Sequence, residues 1–264
     1  MPKLSIITIN LNNGAGLQKT MESVFAQTFK DYEYIIIDGG STDGSKELIE
    51  KHQNKLVYGV SEKDEGVYHA MNKGIRKTRG EYLLFLNSGD IFHSIDSIQI
   101  LLKDSVEDII YGNIMVNSTA GNWLKEYPLD LTFEYFLHDT LPHPASIIKK
   151  ALFDKLGLYN EQNKIVSDWE FYMKAIFLHK ASYKYINSIL VDFDFEGISS
   201  KMENASIIKE EKEIVLKKYY TGFPPENKRV VENNKSIKDN QISRLPKLLN
   251  RTFLYKLVKL IKLS

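Results

Sequence analysis

Apolar positions in the first ninety residues fall in short, nearly unbroken runs. Residues 3–9, 34–37, 56–60 and 82–86 each carry one, and such runs predict strands buried on both faces of a parallel sheet. Between the first two runs, after the turn Asn10-Leu11-Asn12-Asn13-Gly14, the residues Leu17, Met21, Val24 and Phe25 recur at helical spacing. Residues 45–52 predict a second helix. Val67, Ala70, Met71 and Ile75 share one face of a third over 65–77. Strands alternating with helices of this length predict a parallel sheet with right-handed crossovers.

Beyond residue 90 the pattern loosens. It predicts a strand at 109–111, two short strands within 113–127 around Ala120-Gly121-Asn122, an aromatic helix over 131–137 and a rigid loop at Pro142-His143-Pro144 before 145–148. Ser167 or Asp168 stands where a cap would open a helix over 167–178. Residues 184–195 are strand-like and 202–220 form a charged helix. Gly222-Phe223-Pro224-Pro225 then breaks the chain, and 226–241 reads as polar linker. This organisation predicts an α/β domain over 1–200, split into halves 1–90 and 91–200, and a helical extension over 201–264.

Charge changes the picture at one end only. The chain carries 35 basic and 34 acidic side chains, but residues 1–200 hold 20 and 27 of them, and 201–264 hold 15 and 7. An acidic main body argues against nucleic-acid binding. In the tail, no acidic residue follows Gln241. Leu245, Leu249, Phe253 and Leu257 lie opposite Arg244, Lys247 and Arg251, a basic amphipathic helix suited either to an anionic membrane surface or to docking on protein. Cysteine is absent, which removes disulfide and thiolate chemistry. Neither a signal peptide nor a membrane span is expected, which fits a cytoplasmic protein, peripheral on the membrane if the tail binds there.

The ends of the first four runs carry the candidate chemistry. Thr8 and Asn10 end the first, Asp38 the second and Asn87-Ser88-Gly89-Asp90 the fourth, while Glu62, Asp64 and Glu65 follow the third. In a parallel sheet these ends share one edge, where open α/β sheets bind ligands. Converging carboxylates there require a cation or a set of hydrogen-bond donors. No Gly-x-x-x-x-Gly-Lys-Ser/Thr loop exists and no Gly-x-Gly-x-x-Gly follows the first run, which disfavours ATP-dependent phosphoryl transfer and a Rossmann dinucleotide site.

Taken in order, Ser5-Ile6-Ile7-Thr8-Ile9-Asn10, Ile37-Asp38-Gly39-Gly40-Ser41-Thr42-Asp43-Gly44, Asp64-Glu65-Gly66-Val67-Tyr68-His69-Ala70-Met71-Asn72-Lys73-Gly74 and Leu86-Asn87-Ser88-Gly89-Asp90 resemble the inverting glycosyltransferases of family 2. The resemblance extends over about residues 3–195. It implies a GT-A fold, a mostly parallel central sheet flanked by helices, with a nucleotide-binding half and an acceptor half. It also implies that Thr8, Asn10, Asp38, Asp64, Asn87 and Ser88 bind a nucleotide sugar, with UDP as the nucleotide. Asp90 would hold Mn²⁺ or Mg²⁺, although Ser88 stands where the family often has a first Asp. Asp168 is the implied general base, a helix cap being the other reading of that residue. His143 and Trp169 would contact acceptor or diphosphate, with Tyr68, His138 and Glu196 ranking behind them. The implied reaction moves one sugar to a saccharide, lipid-linked in cell-surface polysaccharide synthesis. A non-catalytic sugar-nucleotide-binding protein of the same fold is the alternative.

Overall fold

Residues 1–197 and 201–244 are described by the computed structural model. They belong to two compact units, residues 1–222 and a second that starts at Phe223. The first unit opens with β1 (Leu4–Asn10), α1 (Gly14–Phe25), β2 (Tyr32–Asp38), α2 (Ser45–Lys51), β3 (Tyr58–Ser61), α3 (Val67–Lys77) and β4 (Tyr82–Phe85). The four strands are parallel, as the apolar runs predict, and lie in the order β3-β2-β1-β4. Ile6, Ile7, Ile36, Leu84 and Phe85 are fully buried. Each such apolar side chain contributes about 1.5–3 kcal/mol by leaving water. In α1, Asn13 caps the start by accepting from Gly16 N, and Leu17, Thr20, Met21 and Val24 form the buried stripe.

The chain continues through β5 (Ile91–Phe92), α4 (Ser97–Leu102), β6 (Ile109–Ser118), β7 (Gly121–Lys125), α5 (Phe133–His138), β8 (Ser146–Lys149), α6 (Lys150–Leu156), α7 (Ser167–Met173), β9 (Tyr183–Asp194) and α8 (Ala205–Tyr219). The sheet extends as β4-β8-β6-β9-β5, with β7 on β6. Here β6-β9 is parallel and the other pairings are antiparallel, so the whole is a mixed α/β sheet flanked by helices.

One irregularity in this half bears on the site. Gly112 pairs with Ile186, whereas Ile114, two residues on, pairs with Val191, so β9 carries three more residues than β6 across the bulge. A Cβ on Gly112 would stand 2.5 Å from Leu190 Cδ1, so any side chain there would have to displace buried Leu190 where the bulged strand closes over it.

Three sequence readings change. The two short strands expected within 113–127 are the end of a ten-residue β6 and the five-residue β7. Val166, not Ser167 or Asp168, occupies the cap of α7, and the helix passes into a π turn over Lys174–Leu178. The expected polar linker is α9 (Pro225–Arg244) of the second unit. Its interior has no glycine or proline, and Pro225 at the first helical position is favourable, signals that the polar composition hid. Among the described residues no helix is long and apolar enough to cross a membrane. From residue 245 onward, the amphipathic tail lies outside the described residues.

Candidate active site

Asp38 ends β2 as the hub of the first strand ends. It is fully buried and accepts from Asn10 Nδ2 (2.6 Å), Ser41 N (2.9 Å), Ser41 Oγ (2.5 Å) and Ser61 Oγ (2.6 Å). Burial alone would raise its carboxyl; the hydrogen bonds from Ser41, Ser61 and Asn10 outweigh burial and hold it below the usual carboxylate range. Asp38 therefore organises three strand ends, and a ligand reaches it only by displacing one of these donors. The 10–14 and 38–45 loops are stitched together by Asn12 N to Ser41 Oγ (2.7 Å), Thr42 N to Asn12 Oδ1 (3.0 Å) and Gly14 N to Asp43 Oδ2 (2.7 Å). Asp64 lies over this surface, its Oδ2 2.8 Å from where a Gly39 Cβ would stand and next to exposed Leu11. Asn10 Oδ1 and Asn87 Oδ1 are buried without a partner among the described residues, two acceptors open to a donor.

The turn after β4 is fixed by α1. Thr20 Oγ1 donates to Asp90 O (2.8 Å) and accepts from Gly89 N (3.0 Å), while Asn13 Nδ2 donates to Ser88 O (3.1 Å). Asp90 is buried, and its Oδ1 accepts from Asp194 N (3.0 Å) at the end of β9. Burial pushes the Asp90 carboxyl up to about 8, the Asp194 N–H opposing and the Asp194 charge adding to the rise. Gly89 has φ +106°, and a Cβ there would meet Asp194 Oδ2 at 2.6 Å. Two aspartate carboxyl groups thus flank a glycine at the sheet edge. Asp194 was not read from the sequence: 104 residues separate it from Asp90, and no local motif announces the contact.

Asp168 lies at the second residue of α7, half-buried, and Oδ1 accepts from Tyr68 OH (2.9 Å). The same hydroxyl faces Ile165 O (2.5 Å), so one proton serves two acceptors. Burial, then the Asp168 charge, raise the Tyr68 phenol well above its ordinary value, which keeps it a donor. His143 stacks on Phe85, the last residue of β4, at 4.7 Å and shares a 2.9 Å hydrogen bond with Tyr159 OH. Burial lowers its basicity against the opposing Asp168 charge, so it is neutral near pH 7 and offers no charge to a diphosphate. A cavity of about 300 Å³ abuts Tyr68, walled by Val67, His69, Glu161, Lys164, Ile165 and Ile207 among others. That size is at the lower end for small-molecule sites.

Two further expectations are corrected. Thr8 is fully buried, its hydroxyl paired with Tyr34 OH (2.9 Å) and Leu86 O (2.6 Å), so it ties strands together and lines no pocket. Trp169 is 2% exposed and its indole N–H donates to Phe136 O (2.7 Å), so no sugar can stack on it. Ser88 remains partly exposed at the turn.

Residues 5–157 match the family described as Glycosyl transferase family 2. A PGL/p-HBAD biosynthesis glycosyltransferase of Mycobacterium bovis is 27% identical over 216 residues, 79% of this chain and 83% of that protein. An uncharacterized glycosyltransferase of Mycobacterium tuberculosis is 32% identical over 213 residues, 78% and 80% of the two chains. Among solved structures, Staphylococcus aureus TarS 1-349 in complex with UDP is similar with a TM-score of 0.60 at 20% identity, over 73% of this chain and 60% of that one. Mannosyltransferase PcManGT from Pyrobaculum calidifontis, in complex with GDP-Man and Mn²⁺, gives 0.62 at 15% identity over 88% and 68%. The chain thus spans 60% of the TarS fragment's length. It belongs to glycosyl transferase family 2, has the GT-A fold and is a glycosyltransferase.

Proposed function

We propose that this family 2 glycosyltransferase moves one sugar from a UDP-sugar to a saccharide acceptor with inversion at the anomeric carbon. The observation that carries the reading is Asp168, a half-buried carboxylate that accepts from Tyr68, a residue lining the cavity, and whose charge reaches His143 at the end of β4. An acceptor hydroxyl oxygen attacks the anomeric carbon opposite the leaving group, and Asp168 takes its proton. The bond from that carbon to the diphosphate oxygen breaks, and the electron pair leaves on the diphosphate. The cavity next to Tyr68 receives the acceptor sugar, with Val67, Ile165 and Ile207 against its apolar face and Glu161 and His69 near its hydroxyls. On the donor side, Asp64, Asn10, Asn87 and Ser88 offer acceptors to base and ribose, while Asp38 holds Asn10 and Ser41 in place.

The chemistry of the Asp90–Asp194 pair fits a hard divalent cation, Mn²⁺ or Mg²⁺, because two oxygen donors meet at a glycine and a lone buried carboxylate is disfavoured. Bound there, the cation would offset negative charge on the departing diphosphate. UDP is the nucleotide of the TarS complex; the GDP-Man complex of PcManGT makes a GDP-sugar the second reading. A lipid-linked acceptor in cell-surface polysaccharide synthesis suits a basic tail at 241–264, and we assign the enzyme to the cytoplasmic face of the membrane. In this scheme residues 1–90 bind the donor and lend Val67 and His69 to the acceptor cavity, 91–200 supply Asp168 and the rest of the acceptor side, and 201–264 form an extension whose Ile207 walls that cavity.

The test is a panel of nucleotide sugars with Mn²⁺, read by thermal shift and slow donor hydrolysis. UDP should stabilise the protein; a response to GDP alone selects the second reading, and no response to any nucleotide defeats the donor site. Asp168→Asn should abolish transfer while UDP still binds, and undiminished turnover would remove Asp168 as the base.

A further inference from the structure

We infer that Glu211 of α8 is a positioning residue for the base, its carboxylate fixing the three residues that lead into α7 and so holding Asp168 against Tyr68. The inference rests on the reading of Asp168 as the general base. Glu211 Oε1 accepts from Lys164 N (2.6 Å), and Oε2 accepts from Ile165 N (3.0 Å) and Val166 N (3.2 Å). At 9% exposure, such a carboxylate persists only if donors replace its lost water. Here three successive peptide N–H groups do so.

A carboxylate suits this place and an amide does not. Three donors converge on both oxygens, and glutamine would turn an NH₂ toward at least one of them. Ile165 is gripped from both directions, its N–H by Glu211 and its C=O by Tyr68 OH. Because Tyr68 OH also bonds Asp168, a shift of this segment changes the sharing of that one proton and the direction of the Asp168 carboxylate.

The grip is repeated two turns along α8. Glu211, Val215 and Lys218 lie at i, i+4 and i+7, one face of the helix. Val215 is buried, and Lys218 Nζ (3.2 Å) and Tyr219 OH (2.8 Å) both reach Glu170 Oε1 on α7. Every one of these α8 residues lies beyond residue 157, where the family match ends.

The test uses the full chain carrying Trp123→Phe, which leaves Trp169, the neighbour of Asp168, as the sole tryptophan. Glu211→Gln should lower kcat about tenfold to a hundredfold, the scale of charge-assisted hydrogen bonds, and leave UDP affinity and donor KM within about twofold. Trp169 emission should shift in parallel, and Glu211→Asp should give an intermediate kcat. Combined with Tyr68→Phe, the loss should be smaller than the product of the single losses, because both act on one segment. An unchanged kcat in Glu211→Gln, or fully multiplicative losses, would overturn the inference. Should Glu211→Gln not fold, Glu211→Asp decides: wild-type kcat together with wild-type Trp169 emission overturns it. Asp168→Asn separates the two claims. If that variant turns over normally, the base reading fails; if it is dead while Glu211→Gln is fully active, only Glu211 is misassigned.

Discussion

The phenol oxygen of Tyr68 and the carboxylate of Asp168, a hundred residues apart in the chain, meet at 2.9 Å and join the start of α3 to the start of α7. Tyr68→Phe keeps the ring and removes the hydrogen bond. We expect kcat to fall about tenfold, the worth of one hydrogen bond to a charged group, with UDP affinity unchanged. Steady-state kinetics beside a UDP titration check this, and an equal loss in UDP binding would point to a collapsed donor site instead.

Ser88 leaves the Asp90–Asp194 pair without a third carboxylate on the turn. Ser88→Asp should tighten Mn²⁺ binding roughly tenfold, because added ligand charge strengthens hard-cation sites. Asp194→Asn should weaken it about tenfold to a hundredfold. Free Mn²⁺ measured by electron paramagnetic resonance, with UDP present and absent, reads both without turnover.

Glu33 is 4% exposed and accepts from Ser5 Oγ (2.6 Å), Gly80 N (3.1 Å) and Arg79 Nε (3.2 Å). Burial would raise its carboxyl, yet these donors hold it below the ordinary 4.5. A folded value below the unfolded one means the stabilisation is present above about pH 4.5 and is lost as pH falls through the folded value. Glu33→Gln should therefore cost about 1–3 kcal/mol at pH 7 and progressively less below pH 4.5. Urea unfolding at a series of pH values follows the difference.

Lys212 Nζ lies 4.8 Å from the Trp169 ring centroid, and burial lowers its ammonium from 10.5 to about 8 against the attraction of Asp139 and Asp168. The folded state loses this proton more readily than the unfolded state. Below pH 8 both hold it, so the contribution to stability grows as pH climbs from about 8 toward 10.5. Lys212→Met should lack that rise. Unfolding free energies between pH 7.5 and 10, wild type minus variant, should show it.

Much of the sheet edge was legible because its signals are local. An apolar run that stops at Asn-Ser-Gly-Asp, and Asp38 followed by two glycines and a serine, mark strand ends without help from distant residues. Thr8 misled because a hydroxyl in a strand looks the same whether it faces a ligand or, as here, Tyr34 and a neighbouring carbonyl. Trp169 misled for the same reason, its polar edge being spent on Phe136 O. Asp194 and Glu211 were invisible since their partners lie 104 and about 45 residues away, and neither sits in a periodic pattern that names those partners.

The bulge between β6 and β9 carries an arithmetic of parity. Paired residues share a face, and with the register of Gly112 and Ile186 continued unbroken Asn117 would meet Val191. Three inserted residues, an odd number, bring Asp194 opposite Asn117 instead and Asp192 opposite Met115. An even insertion would have turned both aspartates toward the other side of the sheet. Deleting one of Asn187 or Ser188 is thus a frameshift of faces: every codon downstream keeps its meaning, and the second carboxylate beside Asp90 is withdrawn.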